Sequence, residues 1–311
     1  AAVLLVVRAR GGGPGWGLTA VAVLLWLEPV QNTLAYGQVN LLLLLAVLYD
    51  VALRPGRRSE GALLGVAMAV KLTPAIFVLY LLARRRYRAA ATAVAVAVAL
   101  TLAGWAVLPE QSRAYWFGAV LDPGRPGPGE FVGNQSLRGV LVRLLDNDAA
   151  AALPWLLLAP AVVVGGTLLA AAVARRRGEV LGVCVAALVG LLVSPVSWSH
   201  HYVWAAVLVA ALAAAPASRR TPADRPLAAA LLVLLVAQPI WWLPRRDGRE
   251  FGYAWWQELL GVSYVLAALA ALVTLAAVQR QGQGQQPRPR VPQAPGSVAA
   301  ATAEPARSSH Q

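Results

Sequence analysis

Long apolar runs that stop at clusters of arginine constrain this chain more than any other feature. Ala149 to Ala174 carries no charge and ends at Arg175, Arg176 and Arg177; Ala89 to Leu108 follows Arg84, Arg85, Arg86 and Arg88. About 20 apolar residues are what an α-helix needs to cross roughly 30 Å of hydrocarbon. Of the 311 residues, 59% are hydrophobic and 13% charged, against about 25% charged in soluble domains. A chain of this composition has lipid as its solvent, and in lipid the backbone must satisfy its own hydrogen bonds. The expected fold class is all-α: a polytopic integral membrane protein of about nine to eleven transmembrane or half-membrane helices, with an extracytoplasmic polar cavity. The net charge of +13 lies in the arginine clusters. No basic stripe with interleaved aromatics accompanies it, so nucleic acid is not an expected partner. The single Cys184 sits in an apolar run, which gives neither a disulfide frame nor a thiolate metal site.

Arginine-rich loops remain in the cytoplasm, and that rule traces the path. Ala1 to Val7 reads as the end of a span whose start precedes the chain, followed by Arg8, Arg10 and a turn over Gly11 to Gly15. Gly17 to Val30 goes out, and Leu41 to Leu53 returns to Arg54, Arg57 and Arg58. Gly61 to Val70 and Ala75 to Ala83 are flanked by arginines at both outer ends. One span cannot have both ends on one side, so two half-helices meeting at Lys71-Leu72-Thr73-Pro74 are expected. Pro74 donates no backbone hydrogen bond and disfavours helix at Thr73. Ala89 to Leu108 goes out to a polar loop from Pro109 to Asp148, in which Leu137 to Leu145 reads as a short helix lying on the outer interface. Ala149 to Ala174, Val180 to Val193, Tyr202 to Ala215, Leu227 to Leu243 and Leu259 to Val278 then alternate; the loop at Arg245 is the one mixed case. Residues 1–278 form the membrane domain and 279–311 a disordered cytoplasmic tail.

This path gathers Glu28, Gln31, Gln38, Asn40, Lys71, Asn134, Gln135, His200 and His201 at or near the outer face. Lys71 is the only lysine. An ionisable residue inside an apolar segment marks function, and a compact ammonium suits a phosphate; snorkelling, or a pair with Glu28, is the structural alternative. Val193 to Trp204 holds His200 and His201 among Trp198, Tyr202 and Trp204. An interfacial aromatic belt explains the indoles but not the two imidazoles, which can donate to a phosphate or move a proton. No third ligand has metal-site spacing. Gln38, Asn40, Asn134 and Gln135 offer amides to sugar hydroxyls; helix capping and interhelical hydrogen bonds compete for Asn40, and capping for the Asn134-Gln135-Ser136 stretch.

Gln31 to Asp50, the Lys71-Leu72-Thr73-Pro74 break followed by Arg84 to Arg88, Asn134-Gln135-Ser136-Leu137, and Ser194 to Trp204 occur in an order that resembles glycosyltransferase family 87. That family includes actinobacterial mannosyltransferases with the C-type membrane glycosyltransferase fold, and the resemblance covers most of Gly17 to Val278. It implies an inverting transfer of a sugar, mannose first, from a polyprenyl-phosphate donor to a glycolipid or cell-wall glycan acceptor, on the outer face of a bacterial plasma membrane and without a cofactor. On this resemblance Lys71, His200 and His201 bind the donor phosphate, and Gln38, Asn40, Asn134 and Gln135 the sugar or acceptor. The family's aspartate base falls in a loop expected before Ala1, so no catalytic residue is assigned within the chain. Asp50 lies near the wrong end of its span. Arabinofuranosyl transfer from lipid-linked arabinose is the near alternative. A transporter or flippase is a separate class, favoured by matching half-helices in two repeats; only one break is visible.

Overall fold

The computed structural model describes residues 2–9, 14–122, 124–125, 127–245 and 247–284. The turn expected at Gly11 to Gly15, with Arg10, falls largely outside them, as do Arg246 and positions 285–311 of the expected tail. The described residues are helical, and no named strand occurs among them. Helices α1 (Ala2–Ala9), α2 (Pro14–Leu24) and α3 (Glu28–Ala35) lead into α4 (Asn40–Val47), which continues as a π-helical turn over Leu48–Leu53. Then follow α5 (Ala62–Val70), a 3-10 turn at Thr73–Ala75, α6 (Ile76–Ala83), α7 (Tyr87–Val107), α8 (Pro109–Ala114), α9 (Leu137–Leu144), α10 (Asp148–Arg177) and α11 (Glu179–Val193). A 3-10 turn at Ser199–Tyr202 opens α12 (Val203–Ala213), and α13 (Asp224–Ala237), α14 (Trp255–Gly261) and α15 (Ser263–Gly284) complete the chain. Helix α15 thus runs past the boundary expected at residue 279.

Among the described residues, four helices are long and apolar enough to cross a membrane, five if α2 and α3, bent by 71° at their break, count as one span. The expected nine to eleven counted every apolar pass alike. The remaining passes, including α11 and α12, are apolar but shorter. Their shortness has a physical reason. Helix α11 spans about 22 Å at 1.5 Å per residue, and nearly all of it is buried, from Val180 to Leu192; α12 is buried in the same way. A helix apolar on every side and covered by others is an interior helix, and it can end against protein rather than headgroups. The long helices α7 and α10 lie outside, with Leu102, Leu157 and Leu168 exposed.

Hydrogen bonds fix the direction of each pass. At one end, Arg84 and Arg86 after α6 reach Glu179 at the start of α11 (2.6 and 3.2 Å), Arg86 also pairs with Glu60 just before α5, and Arg177 pairs with Asp224 (2.5 Å). Arg176 donates to the Gln279 carbonyl at 2.6 Å. Asp50 accepts from the Gly61 and Leu64 amides at 2.9 and 3.1 Å, filling the open N-terminus of α5. Because Glu60 and Arg86 touch, the two half-helices leave from and return to one end, as their flanking charges require. Lys71 caps α5 in extended conformation at the far tip. Helix α5 lies closely on α7: a Cβ on Gly65 would stand 2.6 Å from the Ala93 carbonyl oxygen. Gly182 allows the same approach of α11 to α10, where a Cβ would meet the Ala174 methyl at 2.5 Å.

Helix α9 departs from expectation. It does not lie free on an interface. Ser136 caps it by accepting the Gly139 amide at 3.0 Å, and Arg138 pairs with Asp148 at 2.7 Å. Arg143 is buried and donates to the carbonyls of Asn134 and Gly261 at 3.3 and 3.5 Å. The polar side that suggested water faces protein carbonyls, while Leu144 and Leu145 are exposed. Beside it, burial holds the Glu258 carboxyl above its ordinary range; Arg143 opposes that shift and Asp146 adds to it.

Candidate functional site

The opposite end of the bundle is tied by polar side chains of low charge. Asn134 and Gln135 lock the Val193–Trp204 stretch in place. The Gln135 amide donates to the Ser197 carbonyl at 2.7 Å, the Ser199 amide to the Gly133 carbonyl at 2.9 Å, and the Ser197 amide to Asn134 Oδ1 at 3.0 Å. Asn134 and Trp198 form an isolated antiparallel bridge. Asn134 Nδ2 donates to the Gly129 carbonyl at 3.1 Å. Gln135 Nε2 donates to the carbonyls of Val132 and Gly261 at 2.7 and 2.6 Å, and its Oε1 accepts from the Tyr264 amide at 3.2 Å. Both residues are fully buried. Their amides are committed to protein groups, so neither offers a hydroxyl-binding group to a cavity. In this geometry they hold the stretch in place.

Glu28 is the second tie. Its carboxylate accepts from Asn32 (2.6 Å), Ser199 (2.5 Å), Trp241 (2.9 Å) and Tyr264 (3.0 Å), joining α3, the His-bearing turn, the turn after α13, and α15. It does not pair with Lys71, the role open to it from sequence. Isolated from its partners, Glu28 looks like any carboxylate at a helix start; the Trp and Tyr donors come from more than two hundred residues away.

With the scaffold fixed, His200 and His201 arrive beside Lys71. The His200 carbonyl accepts from Thr33 Oγ1 at 2.9 Å and from Asn40 Nδ2 at 3.4 Å. Lys71 Nζ lies 3.1 Å from Asn40 Oδ1 and 3.0 Å from His201 Nε2. An ammonium has three N–H groups and no lone pair. It therefore donates to both, which assigns the His201 proton to Nδ1 and leaves one Lys71 N–H for a ligand. His201 Nδ1 is buried without a partner among the described residues. The two imidazoles meet edge to face at 4.6 Å between centroids, and Tyr36 meets His200 in the same manner at 5.4 Å.

Lys71, His200, His201 and Gln38 line one cavity of about 990 Å³. The rest of its wall is mainly aliphatic, including Leu72, Ile76, Leu79, Val94 and Val193. The sequence suggested a polar cavity; the side chains form an apolar one with a small charged and polar group set into it. Asp122 and Arg125 also border it. Sequence reasoning passed over them because an acid and a base in a Pro/Gly-rich loop carry no periodicity that would place them. Asn40 lines a smaller adjoining cavity with Lys71 and His201. No group of three metal-ligating side chains occurs among the described residues.

The apolar helices define a multi-pass membrane protein. The chain belongs to glycosyltransferase family 87, whose model matches residues 1–195. It is similar to a polyprenol-phosphate-mannose-dependent alpha-(1-2)-phosphatidylinositol mannoside mannosyltransferase of Mycobacterium tuberculosis, 38% identical over 249 residues, 80% of this chain and 58% of that protein. The protein of the same description in Mycolicibacterium smegmatis is 36% identical over 268 residues, 84% of this chain and 60% of that protein. A polyprenol-phosphate-mannose-dependent alpha-(1-2)-phosphatidylinositol pentamannoside mannosyltransferase of M. tuberculosis is 38% identical over 285 residues, 90% of this chain and 65% of that protein. The chain thus spans about three fifths of the length of these relatives. No solved structure matches it.

Proposed function

We propose that this chain belongs to a mannosyltransferase that takes mannose from a polyprenyl-phosphate donor and passes it to a mannosylated phosphatidylinositol, on the extracytoplasmic face of a bacterial plasma membrane. The observation that carries this reading is the free Lys71 N–H beside two imidazoles in a cavity whose wall is otherwise mainly aliphatic. A lipid-linked sugar phosphate needs both halves: a cation for the phosphate and hydrocarbon for the isoprenoid. The names of the relatives supply the donor and acceptor classes. The face follows from charge, since the arginine end suits the cytoplasm and the histidine end is the other one.

In this reading an acceptor hydroxyl attacks the anomeric carbon and the bond from that carbon to the phosphate oxygen breaks. The electron pair leaves with the phosphate, whose charge rises by one unit. Lys71 and His200 or His201 stabilise that charge. The hydroxyl proton passes to a carboxylate base that we do not assign to a residue of this chain. Asp50 is ruled out because it caps α5 at the arginine end. Asn40 holds Lys71 and the His200 carbonyl together, and Gln38, exposed at the cavity, is the amide placed to meet the sugar. Asn134 and Gln135 act through the loop they brace.

The test uses the full-length protein in membranes with labelled lipid-phosphate mannose and a mannosylated phosphatidylinositol. Transfer of label to the glycolipid is expected. Saturable movement of the lipid-linked sugar across the bilayer without transfer would sink the transferase reading.

A further inference from the structure

We propose that a second, aromatic cavity beside the donor cavity is the acceptor-glycan site and that it takes the terminal hexose of the glycolipid. The inference rests on the transferase reading and adds the location of the second substrate. The cavity measures about 520 Å³, within the range of small-molecule sites. Tyr36, Phe131, Trp198, His200, Trp241 and Asp247 line it. Trp198 and His200 line the donor cavity as well, so the two spaces meet at a shared wall. The walls otherwise differ in kind. The donor cavity is mainly aliphatic, with Tyr115, Asp122 and Arg125 at its border, and suits an isoprenoid. In this one aromatic rings form most of the wall, with the Asp247 carboxylate among them.

A hexose has a face of C–H bonds and an edge of hydroxyls. The electron-rich faces of indole, phenol and phenyl rings attract C–H groups, and a carboxylate accepts hydroxyl hydrogens. The rings here are held in place. Trp241 donates to Glu28 at 2.9 Å and carries the Arg245 guanidinium 5.2 Å above its ring. Phe131 packs against Trp198 and Trp241 with centroids at 5.8 and 6.1 Å. Two glycines complete the lining. A Cβ on Gly127, whose φ is +138°, would stand 3.1 Å from the Trp198 indole. One on Gly133 would stand 2.6 Å from the Phe131 ring and 3.2 Å from Trp241. A side chain at either position would force the aromatic wall to shift. A glycan in this cavity would bring its hydroxyl to the Trp198–His200 seam, where the donor's anomeric carbon would lie if its phosphate sits at Lys71.

The test uses the full-length protein in phosphatidylcholine nanodiscs, with α-mannobiose as a soluble probe followed by saturation-transfer NMR. Two variants spare the fold. Tyr36→Ala removes a ring that is 58% exposed. Asp247→Asn keeps the left-handed backbone (φ +56°), which asparagine tolerates. Each should weaken mannobiose binding about three- to ten-fold, the worth of one aromatic or hydrogen-bonded contact, and raise the acceptor KM by a similar factor with the donor KM unchanged. Lys71→Met should leave mannobiose affinity intact. Mannobiose binding that is absent in the wild type, or unchanged in both variants, overturns the proposal. Binding that weakens as described, in a protein that transfers no mannose, supports the pocket and overturns the transferase reading instead.

Discussion

Lys71→Met isolates the charge on which the site depends. Methionine keeps the length and apolar stem of lysine but removes the ammonium. In the transition state the donor phosphate gains one negative charge. Two unit charges at about 4 Å interact by about 4 kcal/mol at an effective dielectric of about 20. The cavity is open to its surroundings, which reduces that figure, and the loss of one preorganised donor to a developing anion commonly costs about 10²- to 10³-fold in kcat. The ground-state phosphate is already an anion, so the donor KM should rise too, by a smaller factor. The substitution also strips Asn40 Oδ1 and His201 Nε2 of their donor, so a thermal melt in the same detergent must accompany the kinetics. Lys71→Arg is the control for charge: guanidinium carries it, but a planar fork cannot serve Asn40, His201 and a phosphate from one point, and an intermediate loss is expected. The assay is initial-rate transfer of labelled mannose from lipid phosphate to glycolipid at several donor concentrations. A folded Lys71→Met protein with wild-type kcat would falsify the role given to this residue.

Three further outcomes follow from the ties at the two ends. Glu28→Ala leaves the donors of Ser199, Trp241 and Tyr264 unmatched; a loss of about 3 kcal/mol or more is expected from several unsatisfied buried groups, read as a lower melting temperature with transfer lost in parallel. Arg86→Ala severs Glu60, Glu179 and the Val51 carbonyl at once. Glu179 keeps Arg84 and Glu60 the Gly56 amide, but the buried Glu60 loses its guanidinium, so a cost of about 3 kcal/mol is expected; thermal unfolding tests it, and an unchanged melt would show the network to be idle. Glu258 should give a pH signature. Its carboxyl is held above the ordinary range, so the folded state binds the proton more tightly than the unfolded one. Stability contributed by the protonated form is then present below about pH 4.5 and is lost as pH rises through the raised value. Glu258→Gln should flatten that part of the stability–pH curve.

How far the sequence could carry the fold is clear from particular residues. The direction of each pass was legible because lipid leaves arginine few places to go: Arg84, Arg86 and Arg177 all fall at one end of the bundle. The break at Lys71–Pro74 was legible because a proline and two basic flanks admit few other paths. The acids that join those arginines were not. Glu60, Glu179 and Asp224 are single carboxylates in apolar or basic surroundings, and only tertiary contact shows that they turn a rim of positive charge into buried pairs. The amides mark the same limit within the site. An amide that binds a sugar and one that pairs with backbone look alike in sequence. Asn40 and Gln38 remain at the cavities, while Asn134 and Gln135 turned inward.

The inward turn also accounts for the short interior helices. Helices α11 and α12 are joined through Ser194–Tyr202, irregular until the 3-10 turn at Ser199–Tyr202, and its backbone groups need partners where protein buries them. The Gln135 backbone amide, the Gly133 carbonyl and the side chains of Asn134, Thr33 and Asn40 supply those partners, through the Ser197, Ser199 and His200 backbone. Because these groups are spent on the loop, the chain can stop α11 early and hold two imidazoles beside Lys71, while the Gln135 side chain ties the strip that carries Asn134 to Val132, Gly261 and Tyr264. Weakening that brace should therefore impair transfer without removing any group that touches the substrate. Gln135→Leu keeps the volume roughly but leaves the Tyr264 amide without its acceptor and the carbonyls of Val132 and Gly261 without their donor. If the loop is braced as described, donor KM and kcat should both worsen while Lys71 remains present and charged. An unaffected enzyme would mean that the Asn134, Thr33 and Asn40 contacts hold the histidines without the Gln135 brace.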